Sequence, residues 1–334
     1  MNQPAADTAQ APNQPDPSLR AKKRKPTGWL ECQLGFLLGL CGLVGARLGH
    51  LWVAFDVFSH FTLQFAVVAA AFCIGLFMPR AKLLTAFLLI VLGILGIGVW
   101  PHLASQTAMT LASPAANQIE LKVASFNTLY DNDNVDAVKA EILRINADVM
   151  TLVEMGPKKK RILAELKDRY PHQADCYRID FCNLVILSKF PIISSDAKAL
   201  WDGPPYIRAK LGAEVGGLTV MAVHTIRFPH SRAQFRQVNI LAQLIESTPG
   251  RKLVMGDFNA TPFSRIIEVV QNRANLLRLS SLPSWPSHAG LPQISIDHIF
   301  VSPGIVATES QKIGEAAGSD HFPITMKIAV PAQP

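Results

Sequence analysis

The chain has 334 residues, a net charge of +7 and a mean hydropathy of +0.22, and only 17% of its residues are charged. This composition excludes an ordinary soluble enzyme over the whole length and indicates membrane-spanning segments. Part of the positive charge is concentrated in the cluster RAKKRK at residues 20–25, so the high isoelectric point does not by itself indicate nucleic-acid binding.

The first hundred residues predict a membrane anchor. Residues 1–28 are rich in Ala, Gln, Pro and Asn and predict a disordered, basic cytoplasmic tail. Apolar runs follow at 29–53, 61–78 and 83–100, each close to the roughly 20 residues that cross a bilayer as a helix. A cleaved signal peptide would have a single run, and a buried soluble domain would carry more charge. We therefore expect three transmembrane helices within residues 29–101.

The distribution of basic residues predicts the orientation of this anchor. The cluster at 20–25 and the turn at 79–82 carry Lys and Arg, which is typical of cytoplasmic segments, whereas the turn at 54–60 has Asp56 and no Lys or Arg. With three spans, everything after residue 100 lies on the outer side. We expect a multi-pass protein of the inner (plasma) membrane, in contact with the lipid bilayer, whose C-terminal domain is periplasmic.

The rest of the chain predicts one further domain. Residues 102–118 are small, polar and Pro-containing, which predicts a linker. Residues 119–331 mix strand and helix patterns without strict alternation, and this predicts an α/β fold in which a two-sheet β-sandwich is flanked by helices. The pattern predicts an amphipathic helix at 158–170, and it predicts Thr261 and Pro262 as the N-cap and first residue of another helix.

The segment LVMGDFNATP, residues 253–262, carries the clearest functional signal. Three apolar residues predict the end of a buried strand, and Gly256 allows a sharp turn after which Asp257 and Asn259 project together. The carboxylate can take a proton from water, and the carboxamide can hold that water or a phosphoryl oxygen. The alternative is an Asx turn in which both side chains only cap local backbone groups.

Other predicted strands also end at polar residues. Besides the Asp257 strand, the strand ends carry Asn127, Glu154, His224 and Asp297, and a GSDHFP segment places Asp320 and His321 before the last strand. Any one of these can be a helix cap or a core polar group. Together they supply oxygen ligands for a hard divalent cation, two histidines, and a carboxylate that can orient a histidine. Those are the components of a metal-assisted phosphoester hydrolase.

The motifs SFNT, LVE, VHT, GDFNATP, IDHIF and SDHFP, in this order, resemble those of the endonuclease/exonuclease/phosphatase family. The resemblance covers about residues 121–328 and implies a deoxyribonuclease I-like fold. It implies a divalent-metal-dependent phosphoester hydrolase, either a phosphodiesterase or nuclease acting on nucleic acid or an enzyme acting on phospholipid headgroups. The membrane part is also similar to that of bacterial proteins that carry this domain behind a few N-terminal spans.

The resemblance implies a metal site and an oriented histidine. It makes Glu154 the metal carboxylate, with Asn127 and Asp320 as further ligands of Mg²⁺ or Mn²⁺. It makes His321 the histidine that faces the scissile phosphate, and Asp297 the carboxylate that orients it.

The resemblance also assigns the remaining polar residues. Asp257 orients or deprotonates the attacking water, and Asn259 holds a phosphate oxygen. His224 corresponds to the second histidine of the deoxyribonuclease and sphingomyelinase branches. The metal strand reads LVEM rather than the LQE followed by TK that AP endonucleases favour, so the chain departs from that branch.

Three arginines are candidates for binding an anionic substrate: Arg208, Arg227 and Arg232. Arg208 lies within a predicted strand, which favours a position in the cleft. For Arg232, a solvated helix face is an equal alternative, since Arg236 follows four residues later.

A second hypothesis is a catalytically inactive binding or signalling domain on a membrane anchor. The complete set of polar residues disfavours it, because a binding protein could lose any one of them at no cost. No obligate protein partner is evident from the sequence.

Cys176 and Cys182 are the two cysteines in the predicted catalytic domain. They could form a metal site, two free thiols or a disulfide. A metal site lacks further close Cys or His ligands, and the outer-side placement favours oxidation. We therefore predict a disulfide that closes a turn between two antiparallel strands.

Overall fold

The computed structural model describes residues 29–73, 89, 93, 111–199, 203–280, 282–289 and 294–332. The predicted tail at 1–28, nearly all of the third apolar run and most of the predicted linker lie outside these residues.

The N-terminal part forms a helical hairpin. It consists of α1 (Trp29–Gly49), a 3-10 turn (Val53–Phe55), α2 (Asp56–Ser59) and α3 (Thr62–Cys73). Helices α1 and α3 approach closely because glycines of α1 face α3: a Cβ built on Gly39 would lie 2.6 Å from the backbone nitrogen of Ala69. Small residues at such contacts are typical of helices that pack within membranes.

Among the described residues, one helix is long and apolar enough to cross a bilayer, the segment Leu30–Gly49 with a mean hydropathy of 1.5. The segments Val53–Ser59 and Thr62–Cys73 pass the same test only together, and they are bent by 60° where they join. The sequence predicts three transmembrane helices, whereas the described residues contain one helix that meets this criterion alone, within the first run. The helix of the second run begins after the bend, and the end of that run and nearly all of the third run lie outside the described residues.

The C-terminal domain is built from two β-sheets. Its strands in chain order are β1 (Gln118–Asn127), β2 (Val149–Val153), β3 (His172–Asp175), β4 (Val185–Ser188), β5 (Ile192–Lys198), β6 (Tyr206–Leu211), β7 (Thr219–His224), β8 (Lys252–Asp257), β9 (Leu277–Arg278), β10 (Asp297–Val301), β11 (Val306–Ala307), β12 (Lys312–Ile313) and β13 (Ile324–Pro331). One sheet has the order β11-β13-β1-β2-β4-β3, with β12 also paired to β13. The other has the order β5-β6-β7-β8-β10-β9.

Apolar side chains fill the space between the sheets and cover their outer faces. Val123 and Ile186 of the first sheet and Val220 and Met255 of the second belong to the shared core between the layers. The helices α4 (Val135–Ile145) and α5 (Arg161–Glu165) follow strands of the first sheet, and α6 (Ser231–Ser247) and α7 (Arg265–Arg273) follow strands of the second. Apolar clusters beneath these helices complete the α/β sandwich that the sequence predicts.

The helix predicted at 158–170 is shorter in the structure. A 3-10 turn at Pro157–Lys159 precedes α5, which ends at Glu165. The chain then tightens, because Lys167 and Arg169 donate to carbonyls three residues earlier rather than four. Lys159 lies in the 3-10 turn, and its buried side chain donates to the carbonyls of Leu129 and Tyr130.

Cys176 and Cys182 form a disulfide between β3 and β4, as predicted, with their Cα atoms 5.6 Å apart. Both side chains are buried and belong to the core between the sheets.

Candidate active site

The strand directions bring the polar strand ends to one edge of the sandwich. β1 is parallel to β2, and β7 is parallel to β8, so the carboxyl ends of each pair lie together. β10 and β13 are antiparallel to β8 and β1, and they begin at this same edge. His224, Asp257 and Asp297 are direct partners in register across β7, β8 and β10.

Gly256 permits the close strand pairing beneath this edge. Its φ angle is +149°, and a Cβ at this position would lie 1.9 Å from the carbonyl oxygen of Val223. We expected Gly256 to provide a turn. The structure shows instead that the glycine lies within β8 and allows the backbone of β7 to approach.

His321 and Asp297 form a buried pair. His321 Nδ1 lies 2.8 Å from Asp297 Oδ2, and the two side chains are 5% and 1% exposed. Burial disfavours the imidazolium, but the carboxylates of Asp297 and Asp257 outweigh this effect and raise the pKa of His321 to about 10. Because Nδ1 is held by Asp297, the Nε2 atom is directed toward the Asp257 carboxylate, at 3.7 Å.

Asp257 lies at the centre of the cluster. Its Oδ2 accepts a hydrogen bond from Asn127 Nδ2 at 3.0 Å, and its Oδ1 accepts one from the backbone NH of Asn259 at 2.7 Å. Burial and the Asp297 carboxylate raise the pKa of Asp257 to about 8, although His321 acts in the opposite direction. A carboxylate whose pKa lies near neutrality is well matched to accepting a proton from water.

Glu154 projects from the end of β2 into the same space. Its Oε2 accepts a hydrogen bond from the backbone NH of Tyr130 at 2.9 Å, and its Oε1 lies 3.6 Å from His224 Nε2. His224 Nε2 lies 3.9 Å from Asp257 Oδ2, so this imidazole stands between the two carboxylates. Burial lowers the pKa of His224, although the Glu154 carboxylate raises it.

Asn259 has a left-handed backbone with φ of +47°, which Asn tolerates better than most residues. Its Nδ2 donates to the carbonyl of Thr225 at 2.9 Å, so the side chain is held against the loop that follows β7. The local Asx contact that we considered as an alternative is present too, between the Asn259 NH and the Asp257 carboxylate. It accompanies the contacts across the cluster.

The donor set fits a hard divalent cation. Glu154 and Asp257 offer carboxylate oxygen atoms around one space, and Asp297 Oδ1 is buried without a hydrogen-bond partner among the described residues. Asn127, which we expected as a further ligand, directs its Nδ2 to Asp257, while its Oδ1 accepts from the Leu129 NH at 3.0 Å. Ligand atoms of Asp257, Asp297 and His321 also lie within 4.8 Å of one another. The hydrogen bond between His321 and Asp297 occupies two of those groups, so the oxygen set that includes Glu154 suits Mg²⁺ or Mn²⁺ better.

Two of the expected site residues have other partners. Asp320 Oδ2 accepts a hydrogen bond from the indole Nε1 of Trp285 at 3.1 Å, which places it beside His321 rather than in the oxygen cluster. Arg208, which we expected in the cleft, binds Asp196 at 2.8 Å and the Thr248 hydroxyl at 3.0 Å instead. Arg208 lies two residues from the Tyr206 end of the β6–β7 pairing, and its side chain reaches Thr248 at the end of α6. Arg227 and Arg232 are exposed on the loop and helix that follow His224.

Some supporting residues escaped the sequence analysis. The Ser319 hydroxyl donates to the carbonyl of Asn127 at 2.7 Å and accepts from the NH of His321 at 3.1 Å, and this links β1 to the His321 loop. Lys159 holds the Leu129–Tyr130 backbone whose NH supports Glu154. The SDH motif contains Ser319 but does not indicate its partner, and Lys159 lies in a basic run that is typical of a solvated surface.

Comparisons with known proteins show what the chain is similar to. A family model described as "Endonuclease/Exonuclease/phosphatase family" matches residues 124–321. No curated protein matches the chain by sequence.

Solved structures show the same fold at low sequence identity. Humanized D. rerio TDP2 is 16% identical with a TM-score of 0.53, and the match covers 63% of this chain and 98% of that one. Sphingomyelinase C from Streptomyces griseocarneus is 15% identical with a TM-score of 0.50, covering 63% and 99%. A mannosyl-6-phosphatase from Bacteroides thetaiotaomicron is 14% identical with a TM-score of 0.51, covering 62% and 99%.

Proposed function

The chain belongs to the endonuclease/exonuclease/phosphatase family, and on this basis we propose that it is a membrane-anchored, divalent-metal-dependent phosphoester hydrolase that acts outside the cytoplasm. The observation that carries the proposal is the convergence of Glu154, Asp257 and His321 at one edge of the sandwich. Fold similarity alone does not determine a substrate, so the argument rests on the site.

Asp257 is the base in this proposal. Its carboxyl group lies at the centre of the cluster and has a pKa of about 8, so the carboxylate can accept a proton from a water that attacks phosphorus. Asn127 and the NH of Asn259 hold the two carboxylate oxygens, which sets the direction from which the water is bound. The second NH of the Asn259 amide is available to a phosphoryl oxygen.

The two histidines have different tasks because their pKa values move in opposite directions. His321 stays protonated at neutral pH and places a positive charge beside the phosphoryl oxygens, where negative charge accumulates in the transition state. The lowered pKa of His224 leaves its ring mostly neutral at pH 7, so we assign it to hydrogen bonding at the oxygen of the leaving group rather than to carrying a fixed charge.

The cation would be held by the Glu154 carboxylate, with water and the substrate phosphate completing its coordination. It would polarise the phosphoryl oxygen and neutralise charge on the phosphate. The chain itself holds Glu154 in place through the Tyr130 NH, and so fixes the position of that carboxylate before any ligand binds.

The substrate that we favour is the headgroup phosphoester of a phospholipid. The hairpin of α1 and α3 contacts the loops that carry the site, and α1 is apolar enough to span a bilayer. An active site held beside a membrane meets lipid phosphates at high local concentration. Nucleic acid is the other substrate class to be tested.

The activity is tested with the purified full-length protein in nanodiscs. Phospholipids, DNA, RNA and inositol phosphates are offered with Mg²⁺, with Mn²⁺ or with a chelator, and phosphate or headgroup release is measured. We expect metal-dependent hydrolysis of phospholipid that is lost in Asp257→Ala. Hydrolysis of nucleic acid alone would reject the substrate class, and the absence of any hydrolysis would leave a binding domain as the better hypothesis.

The orientation is tested with reporter fusions. Fusions after Trp100 should show an outer-side location and fusions at Arg80 a cytoplasmic one, as the loop charges predict. A cytoplasmic signal after Trp100 would contradict the periplasmic placement.

A further inference from the structure

The turn that joins the two anchor helices lies against the catalytic domain. We call residues 50–61 the anchor turn. Asp56, Ser59 and His60 in this turn are polar and at most 1% exposed, which is unusual for a short connection between apolar helices. Their partners belong to the loop after β8 and to the start of α7.

Asp56 caps α7. Its Oδ1 accepts a hydrogen bond from the backbone NH of Arg265 at 2.9 Å, and its Oδ2 accepts one from the Ser264 hydroxyl at 2.5 Å. Ser264 is the N-cap of α7, and its own side chain accepts from the Ile266 NH. A carboxylate at this position satisfies free NH groups and interacts favourably with the helix dipole.

His60 and Ser59 hold the segment between Asn259 and α7. His60 Nδ1 accepts a hydrogen bond from the backbone NH of Thr261 at 3.2 Å, and the Thr261 hydroxyl donates to the Ser59 carbonyl at 3.3 Å. The sequence predicts Thr261 as the N-cap of the next helix, but the N-cap in the structure is Ser264. These bonds explain the difference. The polar groups of Thr261 are used by the anchor turn.

The anchor turn also contacts the loop that carries His224. The His60 ring stacks on Phe228 with ring centres 4.7 Å apart, and Phe61 meets the same ring edge-on at 5.6 Å. Phe228 follows His224 by four residues, and Thr261 follows Asp257 by four. One short turn therefore contacts both loops that leave the catalytic edge of the second sheet.

These two loops are joined to each other at the site. The Thr225 NH donates to the Asp257 carbonyl at 3.0 Å, and Asn259 Nδ2 donates to the Thr225 carbonyl at 2.9 Å. A displacement of Thr261 or Phe228 is transmitted through these bonds to Asp257 and Asn259. Misplacement of catalytic groups by about 1 Å typically costs on the order of a hundredfold in rate.

The chemistry of His60 indicates more than packing. Its Nε2 is buried without a hydrogen-bond partner among the described residues, so the imidazole is retained at an energetic cost. An apolar ring would fill the same space against Phe228 without that cost. The contact that an apolar ring cannot make is the one from Nδ1 to the Thr261 NH.

We propose that the anchor turn is a structural part of the active site, and that His60 and Asp56 are positioning residues for the Asp257–Asn259 loop. The inference rests on the proposed hydrolase activity. It means that the membrane anchor contributes to turnover as well as to location.

The test compares variants of the full-length protein in nanodiscs, using the substrate that the parent hydrolyses. His60→Leu removes the acceptor for Thr261, whereas His60→Asn keeps an oxygen acceptor near the position of Nδ1. The matched control is His50→Gln, which alters an exposed contact of the same interface, the 3.3 Å pair with Glu268. Hydrogen–deuterium exchange over residues 258–266 reports the contact independently of activity.

We expect His60→Leu to lower kcat at least about tenfold with KM nearly unchanged, and His60→Asn to recover most of this loss. Asp56→Ala should show a similar loss. Exchange over residues 258–266 should rise in His60→Leu and Asp56→Ala but not in His50→Gln.

A parental kcat in His60→Leu would overturn the inference, whether or not exchange rises. It would mean that the contact between His60 and Thr261 does not affect the position of the catalytic groups. An equal loss in His60→Leu and His60→Asn would also overturn it. The proposed function is judged separately by the parent protein and by Asp257→Ala. Turnover that is lost in Asp257→Ala but retained in His60→Leu would support the function and reject this inference.

Discussion

His321 Nδ1 lies 2.8 Å from the Asp297 carboxylate, in a pair that is almost fully withdrawn from solvent. The bond fixes which ring nitrogen faces the substrate space, and it stabilises the imidazolium. Asp297→Asn keeps the shape of the carboxylate but removes its charge and can leave His321 in the wrong tautomer. We expect kcat to fall at least about a hundredfold in a protein whose melting temperature is close to that of the parent.

The comparison for this variant is Asp196→Asn. Asp196 is a carboxylate that also binds a cation, Arg208, but lies on an edge strand away from the site. Its replacement should leave kcat within about twofold of the parent. A similar loss in both variants would indicate a general effect of removing a carboxylate from the domain.

Metal affinity should depend on Glu154. Glu154→Gln removes the charge that favours a hard cation, so the Mg²⁺ concentration for half-maximal activity should rise by about tenfold or more. Titration of activity with Mg²⁺ after treatment with a chelator measures this shift. Glu165→Gln, on the exposed helix α5, should leave the titration curve unchanged. Parental activity in the presence of excess chelator would contradict the metal assignment.

The stability of the protein should decrease on acidification because of His298. Its Nε2 lies 2.7 Å from the Ala260 carbonyl and its Nδ1 lies 3.0 Å from the Ser280 hydroxyl, which suits a neutral ring. Burial and the nearby Arg278 lower the pKa of His298 to about 3. Below pH 6.5 the unfolded chain binds a proton that the folded chain does not, so stability is lost as the pH falls from 6.5 toward 3.

At pH 5 this single group should lower the free energy of unfolding by about 2 kcal/mol relative to pH 7.5. Melting temperatures of the detergent-solubilised protein at the two pH values measure the effect. His298→Gln is expected to be less stable at pH 7.5 but to show a smaller decrease on acidification. An equal decrease in parent and variant would assign the pH dependence to other groups.

The disulfide predicts the number of free thiols per chain. The described structure leaves Cys32, Cys41 and Cys73 as free cysteines, and the chain has five in total. Thiol titration of the denatured, unreduced protein should therefore give three thiols per chain. Reduction should destabilise the catalytic domain by about 2 kcal/mol, because the closed loop is short. Five thiols per chain would contradict the bond and weaken the periplasmic placement.

Much of the catalytic domain follows from local patterns. The strand ends that carry Asn127 and Asp257 lie where apolar runs stop at polar residues. Within each parallel pair such ends share an edge, and the packing of the two sheets brings six of the predicted polar residues together: Asn127, Glu154, His224, Asp257, Asp297 and His321. The family motifs in the sequence indicate this arrangement.

The remaining features depend on long-range partners that no local pattern encodes. The sequence shows Arg208 as a cation within a strand and gives no sign of its partner. In the structure, the neighbouring strand β5 places Asp196 beside it. Lys159 belongs to a basic run that is typical of a surface, yet loop carbonyls of Leu129 and Tyr130 bury its amine. Asp56 and its partner Arg265 are separated by 209 residues, and the sequence presents Asp56 only as an acidic residue in a short turn.

Glu154 has a backbone φ of +55°, in the left-handed region that Glu seldom adopts. Holding such a residue there costs about 1 kcal/mol or more, which glycine would not incur. Selection for thermostability alone would therefore replace this glutamate with Gly or Asn, and the more stable protein would have lost the carboxylate that we propose as the metal ligand. At residue 154, the robustness of the fold and the capacity for hydrolysis impose opposite demands on the same position.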